Sequence, residues 1–287
     1  MHEPTTLIVG CGDLGTEIGL RLIERGHRVI GWRRAVPADM SPIQFQAVDV
    51  LAPITTGIPR VEYVVCALAP RRDGSDIYER TYVEGVRNTL QALNAAGVTP
   101  RRALLISSTS VYGDMAGSIS EETPIAAASG RAAVQLETEA LFGSHFATSA
   151  TTATVLRCGG IYGPGRGRLL EQVRTGSAVI PQQSTKTSRI HRDDAAGAVV
   201  HLLTRPDEPE SLYLGVDDEP AELGDVLRFI ADQLGVPAPL IGEVQRRRGG
   251  NRECSNARLT ATGFRFRYPD FRSGYAQEIG SPRERHP

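Results

Sequence analysis

The chain has 287 residues, a formal net charge of −1 and 40% hydrophobic residues. That is enough for one large domain or a domain with an appendage, and too balanced in charge to pull the molecule toward nucleic acid or anionic lipid. No apolar run reaches bilayer-spanning length, the start MHEPTTLIVGCG lacks the charged leader and long apolar core of a signal peptide, and the scattered Cys11, Cys66, Cys158 and Cys254 have no paired spacing, so reduced thiols in a cytoplasm are expected, and neither a disulfide framework nor a metal site.

In chain order, Thr5–Val9 is a short apolar run that reads as a strand, followed by glycines and then by Thr16–Glu24 with helical spacing. His27–Trp32 and Gln44–Val48 are the next β-rich runs. Val61–Ala69 is nearly continuous in apolar residues, the pattern of a strand buried on both faces of a parallel sheet. Ile77–Ala96 has helical spacing and is ended by Gly97 and Pro100. Ala103–Thr109 reads as a buried strand, Arg131–Phe142 as a helix, Thr152–Arg157 as a strand and Arg192–Leu203 as a helix. This alternation predicts an α/β fold, a Rossmann-like doubly wound parallel sheet with helices on both faces.

From about Gly163 glycine and proline become frequent and the strands shorten. Ser211–Val216 and the helix Leu223–Leu234 are expected to belong to a small C-terminal α/β appendage. The predicted organisation is a nucleotide-binding domain of residues 1–162 plus about 190–207, a smaller substrate-binding unit of about 163–189 and 208–280, and a mobile tail at 281–287. A small-molecule ligand is then expected in the crevice at the carboxyl ends of the strands.

Gly10-Cys11-Gly12-Asp13-Leu14-Gly15 is a G-x-G-x-x-G run placed between the first strand and the first helix, the context a dinucleotide-binding loop requires. Gly10 permits the tight turn, Gly12 lets a pyrophosphate approach the backbone, and Gly15 lets helix and strand pack closely. Asp13 and Leu14 lie in the same turn, where the helix N-terminus offers N–H groups to phosphate. The second strand ends in Gly31-Trp32-Arg33-Arg34, with no carboxylate before Asp39. An NAD site of this design ends the strand with Asp or Glu for the ribose, whereas two guanidinium groups suit a 2′-phosphate, so NADP(H) is expected over NAD(H). Asp49 would accept from the adenine amino group or cap the next turn. The strand-end crevice adds Val50, Ala67, Leu68, Ala69, Ser107, Cys158 and Gly159 as candidate cofactor contacts.

Three further segments carry a resemblance. They are Leu105–Gly113 (LISSTSVYG), Arg157–Gly165 (RCGGIYGPG) and Arg189–Asp194 (RIHRDD). With the glycine loop, and in this order, they resemble the extended and atypical short-chain dehydrogenase/reductase superfamily, also called the NAD-dependent epimerase/dehydratase family. The resemblance implies a Tyr-x-x-x-Lys pair, a Ser or Thr and usually an Asn in catalysis, with the tyrosine as general acid/base. Ser108 matches the serine. The tyrosine and lysine positions fall on Ser129 and Ala133, ahead of Glu137, and the two usual asparagines on Tyr82 and Gly160. Tyr112 and Tyr162 are alternative phenols on loops near the strand ends, although packing within the shared motifs is the favoured reading for both. The resemblance gives His191 and Asp194 a packing role. Arg246-Arg247-Arg248 is either a solvated loop or a phosphate contact.

Two functions follow. One is an NADP-dependent oxidoreductase or epimerase-like enzyme with an altered catalytic tetrad, which the resemblance implies would act on a sugar or nucleotide sugar. The other is a non-catalytic NADP(H)-binding redox sensor. The resemblance also implies a homodimer, paired through Asp76–Ala96 and Arg131–Phe142.

Overall fold

The computed structural model describes residues 3–38, 42–70, 76–125, 128–243 and 251–287. Its frame is set by β1 (Thr5–Val9), α1 (Asp13–Ile23), β2 (Arg28–Arg33), β3 (Gln44–Ala47) and β4 (Tyr63–Cys66). The short helix α2 (Asp76–Glu79), a π-helical turn at Arg80–Glu84 and α3 (Gly85–Ala95) run on as one rod. β5 (Arg102–Ser108), β6 (Gly117–Ile119), α4 (Gly130–Phe146), β7 (Thr152–Cys158), β8 (Gly160–Tyr162) and α5 (Arg168–Arg174) follow. The C-terminal part holds β9 (Ile180–Pro181), β10 (Lys186–Thr187), β11 (Arg189–His191), α6 (Arg192–Thr204), β12 (Leu212–Gly215), β13 (Ala221–Glu222) and α7 (Leu223–Leu234). It ends with β14 (Ile241–Gly242), β15 (Arg252–Cys254), α8 (Ala257–Ala261) and α9 (Phe271–Gly280).

Seven strands form one sheet in the order β12-β7-β5-β4-β1-β2-β3, and all of its pairings are parallel. Alternation along β1 divides the core. Ile8 packs with Ile18 and Leu22 of α1 and Val199 of α6 on one face. Leu7 and Val9 pack with Val86 and Leu90 of α3 and Phe142 of α4 on the other. Both faces are therefore covered, which is why the strands read as nearly continuous apolar runs. A separate cluster around Tyr162, Ile180, Leu227, Ile230, Phe271 and Tyr275 packs β8, β9, α7 and α9 together.

Two elements differ from the sequence expectation. Leu212–Gly215, expected in the appendage, is the edge strand of the central sheet, paired with β7 from Leu212↔Val155 to Gly215↔Cys158. A four-residue strand carries no local mark of the sheet it joins, since its partner lies more than fifty residues away and is chosen by tertiary packing. Val61–Ala69 is strand only over Tyr63–Cys66. Ala67 N–H still donates to Val9 O at 2.8 Å, after which the backbone leaves the sheet.

The order of the strands puts β1 between β2 and β4, so chain connections leave it in opposite directions and the carboxyl ends of β1 and β4 open a crevice. Val9 and Cys66 are paired at that edge. At the opposite end of the sheet, Arg102 on β5 is buried, 3% exposed, and closes the C-terminus of α6. Its Nη1 donates to the carbonyls of Leu203 (2.9 Å) and Arg205 (2.7 Å) and its Nη2 to that of Asp207 (2.9 Å). Charge-assisted bonds to a helix C-terminus combine dipole compensation with carbonyl satisfaction. Arg102→Met should therefore cost about 2–4 kcal/mol of stability in urea unfolding, with the dinucleotide site intact. A loss below about 0.5 kcal/mol would mean that the α6 terminus finds other donors.

Candidate functional site

The three glycines of the loop meet three different demands. Gly10 has φ +82°, and a Cβ there would lie 2.8 Å from Ala67 O and 2.9 Å from Leu68 Cα, so the turns after β1 and β4 touch. A Cβ on Gly15 would lie 2.9 Å from Gly10 O, where α1 starts over β1. Gly12 has an ordinary φ of −89°, and a Cβ on it would meet nothing within 4 Å. Neither backbone strain nor packing calls for glycine at this position. The space it leaves open belongs to a cavity of about 790 Å³, within the range of small-molecule and cofactor sites. A dinucleotide fits this cradle: its pyrophosphate would lie against Gly12 and the free N–H groups of the first turn of α1.

Gly10, Gly12, Asp13 and Leu14 line this cavity, as do Arg33, Arg34, Asp49, Val50, Ala67, Leu68, Ala69, Ser107, Ser108, Cys158 and Gly159. Gly15 lies beneath it. Arg33 and Arg34 follow directly on β2, whose Trp32 carbonyl holds the glycine loop by accepting from Gly10 N–H (3.0 Å) and Cys11 N–H (2.9 Å). Asp49 Oδ1 accepts from Leu51 N–H at 3.0 Å and so caps its turn. The Asp13 side chain is fully buried and turned into ion pairs, with Arg192 Nη1 at 2.9 Å and Arg166 Nε at 2.6 Å. That pairing keeps a carboxylate from repelling phosphate at the loop. Cys158 is buried, and burial pushes its thiol up to about 12, which leaves it an inert wall.

At the far end, Ser108 Oγ accepts from Ser110 N–H at 3.1 Å. Behind it runs a buried network. Ser107 Oγ donates to Glu139 Oε1 (2.5 Å), and Arg157 grips Glu139 through Nε (3.0 Å) and Nη2 (2.6 Å). Arg157 Nη1 donates to Tyr112 Oη (2.9 Å), whose own O–H goes to Ser120 O (3.1 Å). Tyr112 is thus held as a strut, and burial pushes its phenol up. Tyr162 is likewise packed, stacked on Tyr275 at 4.7 Å with burial raising its phenol further. Neither lines the cavity.

Ser129 precedes α4 and Ala133 lies in its first turn, and neither is among the residues lining the cavity. Tyr82 is among them. It stands on the π-helical turn Arg80–Glu84, a local widening that often marks functional positions. Its ring meets Tyr78 edge-on at 4.8 Å. Burial, with Tyr78 adding to it, pushes the Tyr82 phenol up to about 12. The sequence marked the position only as the place of a family asparagine, and not as a tyrosine on the cavity lining. Lys186 is the one lysine in the chain, and its Nζ lies 2.6 Å from Glu253, outside the cavity lining. Arg166 and Arg285 also line the cavity and were not singled out from the sequence, where nothing local marks them. Asp194 accepts from Arg267 N–H (2.8 Å) and Tyr268 N–H (2.9 Å) and so ties the C-terminal segment to α6, while His191 Nε2 lies 3.4 Å from Glu278. Arg246–Arg248 lie outside the described residues. Among those described, no helix is long and apolar enough to cross a membrane.

Known proteins share the fold that carries this cavity. A profile described as the NAD dependent epimerase/dehydratase family matches residues 6–215. A solved structure from Methylobacillus flagellatus, assigned to the NAD-dependent epimerases/dehydratases, is 35% identical with a TM-score of 0.80, covering 98% of this chain and 99% of that one. A 3-diazoavenalumate denitrifying reductase from Streptomyces is 28% identical, over 95% of this chain and 99% of its own. UDP-glucuronic acid 4-epimerase from Bacillus cereus, solved with NAD, shares the fold at 18% identity and a TM-score of 0.78, with 96% of each chain covered. The chain belongs to the NAD-dependent epimerase/dehydratase family.

Proposed function

We propose that the protein is an NADP(H)-dependent reductase of this family, in which Ser108 and Tyr82 do the work of the usual tyrosine–lysine machinery. The observation that carries the reading is one continuous cavity lined by Arg33 and Arg34 and also by Ser108 and Tyr82. When bound, the nicotinamide supplies hydride chemistry. Arg33 and Arg34 would hold a 2′-phosphate, and the glycine loop the diphosphate. Ser108 Oγ would orient the substrate oxygen. Tyr82 holds its proton at neutral pH, because burial raises the phenol by more than Gln135 and Arg131 lower it. Such a group suits proton donation to a developing oxyanion better than proton abstraction from an alcohol. This favours reduction of a carbonyl or comparable acceptor over the oxidation step with which an epimerase begins. The reductase among the relatives supports the direction, and the nucleotide-sugar enzymes among the structural neighbours support a sugar or nucleotide-sugar keto substrate.

Three outcomes test the reading. NADPH should bind at least about tenfold more tightly than NADH, a difference of about 1.4 kcal/mol, and Arg33→Ala with Arg34→Ala should remove the preference; equal calorimetric affinities in the wild type would refute the arginine argument. Gly12→Val fills the only loop position where a Cβ has free space. It should abolish binding of both nucleotides with an unchanged melting temperature, and retained binding would misplace the site. Tyr82→Phe should lower NADPH-dependent turnover of a panel of keto sugars by roughly a hundredfold while NADPH affinity holds. If the wild type binds NADPH tightly yet turns over none of the panel, and Tyr82→Phe changes nothing, the alternative of a redox sensor is preferred.

A further inference from the structure

Residues 281–287, read from the sequence as a mobile tail, run back across the N-terminal end of α1. Arg283 Nη2 lies 2.8 Å from Asp193 Oδ2. His286 N–H donates to Asp13 Oδ1 (3.2 Å), and its ring Nε2 lies 2.9 Å from Glu17 Oε2. The Pro287 carbonyl accepts from Arg33 Nη1 at 2.7 Å. Between these anchors Arg285 reaches the cavity wall. It passes so close to Gly165, where φ is +63°, that a Cβ there would collide with the Cβ of Arg285. The glycine of the Ile161–Gly165 segment thus leaves room for the strap.

The charges around the loop do not cancel. Asp13 is faced by three guanidinium groups, Arg166 Nε at 2.6 Å, Arg192 Nη1 at 2.9 Å and Arg285 Nε at 3.6 Å. The first two are at hydrogen-bond distance and already engage the single carboxylate. Arg285 is beyond that distance and its side chain is 53% exposed. The neighbouring carboxylates are engaged too, Asp193 by Arg192 and Arg283, and Glu17 by Arg21 and His286. Arg166 and Arg285 therefore stand on the cavity beside the open Gly12 and the first turn of α1 with cationic capacity to spare. An anionic ligand is what this arrangement lacks.

We propose that the 283–287 strap is part of the dinucleotide site and that Arg285, together with Arg166, clamps the diphosphate of the cofactor. This rests on the reading of the cavity as a dinucleotide site. The clamp acts on the diphosphate, which NADPH and NADH share, whereas Arg33 and Arg34 act on the 2′-phosphate, which only NADPH carries. The two roles therefore separate in one calorimetric series on the protein. Arg285→Ala should weaken NADPH and NADH by the same factor, about tenfold, and leave their ratio unchanged. Arg285→Lys, which keeps the charge but loses the fork, should recover part of the loss. Because Arg285 is half exposed, the alanine variant should melt with the wild type in the absence of nucleotide, so lost affinity is not lost fold. Unchanged affinity for both nucleotides in Arg285→Ala overturns the clamp while leaving the cofactor reading in place. Tighter binding after removal of residues 283–287 also overturns it, since the strap would then be a plug. Failure of the wild type to bind either nucleotide overturns both.

Discussion

The contact between the turns that leave β1 and β4 governs the site. Gly10 can approach Ala67 and Leu68 only because it has no side chain and tolerates a positive φ. That approach aligns the start of α1 with the crevice where the strand order reverses, so the helix N-terminus and the open face of Gly12 point at one volume. A larger residue at Gly10 would separate the two turns, and Ala67–Ala69 would no longer form the cavity's opposite wall. The open face at Gly12 is thus a consequence of backbone packing between neighbouring strands, with side chains added around it.

The polar groups around this junction act mainly by position. Arg157, Glu139, Ser107 and Tyr112 link β5, β7, α4 and the turn after β5 in one buried chain of hydrogen bonds. Burying such an ion pair costs desolvation that its attraction roughly offsets. Its value to the site is that Ser107 cannot rotate and Ser108 is presented at the strand end, already receiving Ser110 N–H. The same holds for Asp13, whose pairing with Arg192 and Arg166 ties α1 to α6 and to the segment after β8. A fixed frame of this kind limits the reorganisation a bound ligand requires.

The parallel sheet was legible because both its faces are covered, so each inner strand is an apolar run with turn residues at its ends. The glycine loop was legible because its three constraints fall on fixed spacings within one turn. Sites assembled from distant segments were not. Arg166 and Arg285 are more than a hundred residues apart and meet only because the tail returns to α1. Tyr82 sits in a helical stretch whose apolar pattern gives no sign of the π turn that carries it. β12 failed for a related reason: Leu-Tyr-Leu-Gly is as compatible with the appendage as with the sheet, and only pairing with β7 decides. Family correspondence placed Ser129 and Ala133, but a correspondence names what is missing and says nothing of what stands in the space.

What stands there is constrained by the chain's choice of cations. With Lys186 the one lysine and bound to Glu253, the remaining basic side chains are arginines and a few histidines. An arginine stays protonated at any pH the protein meets. Arg33, Arg34, Arg166 and Arg285 are therefore fixed charges, suited to phosphate and unable to shuttle a proton. Of the histidines, His191 is fully buried against Glu278 and Tyr268, and His286 is engaged by Glu17. Of the hydroxyl-bearing residues on the cavity lining, Ser107, Ser108, Thr81 and Tyr82, the phenol is the most acidic. On the proposed reading of the cavity as a reductase site, a phenol with no lysine partner starts protonated and has to give its proton up, which gives the chemistry a direction.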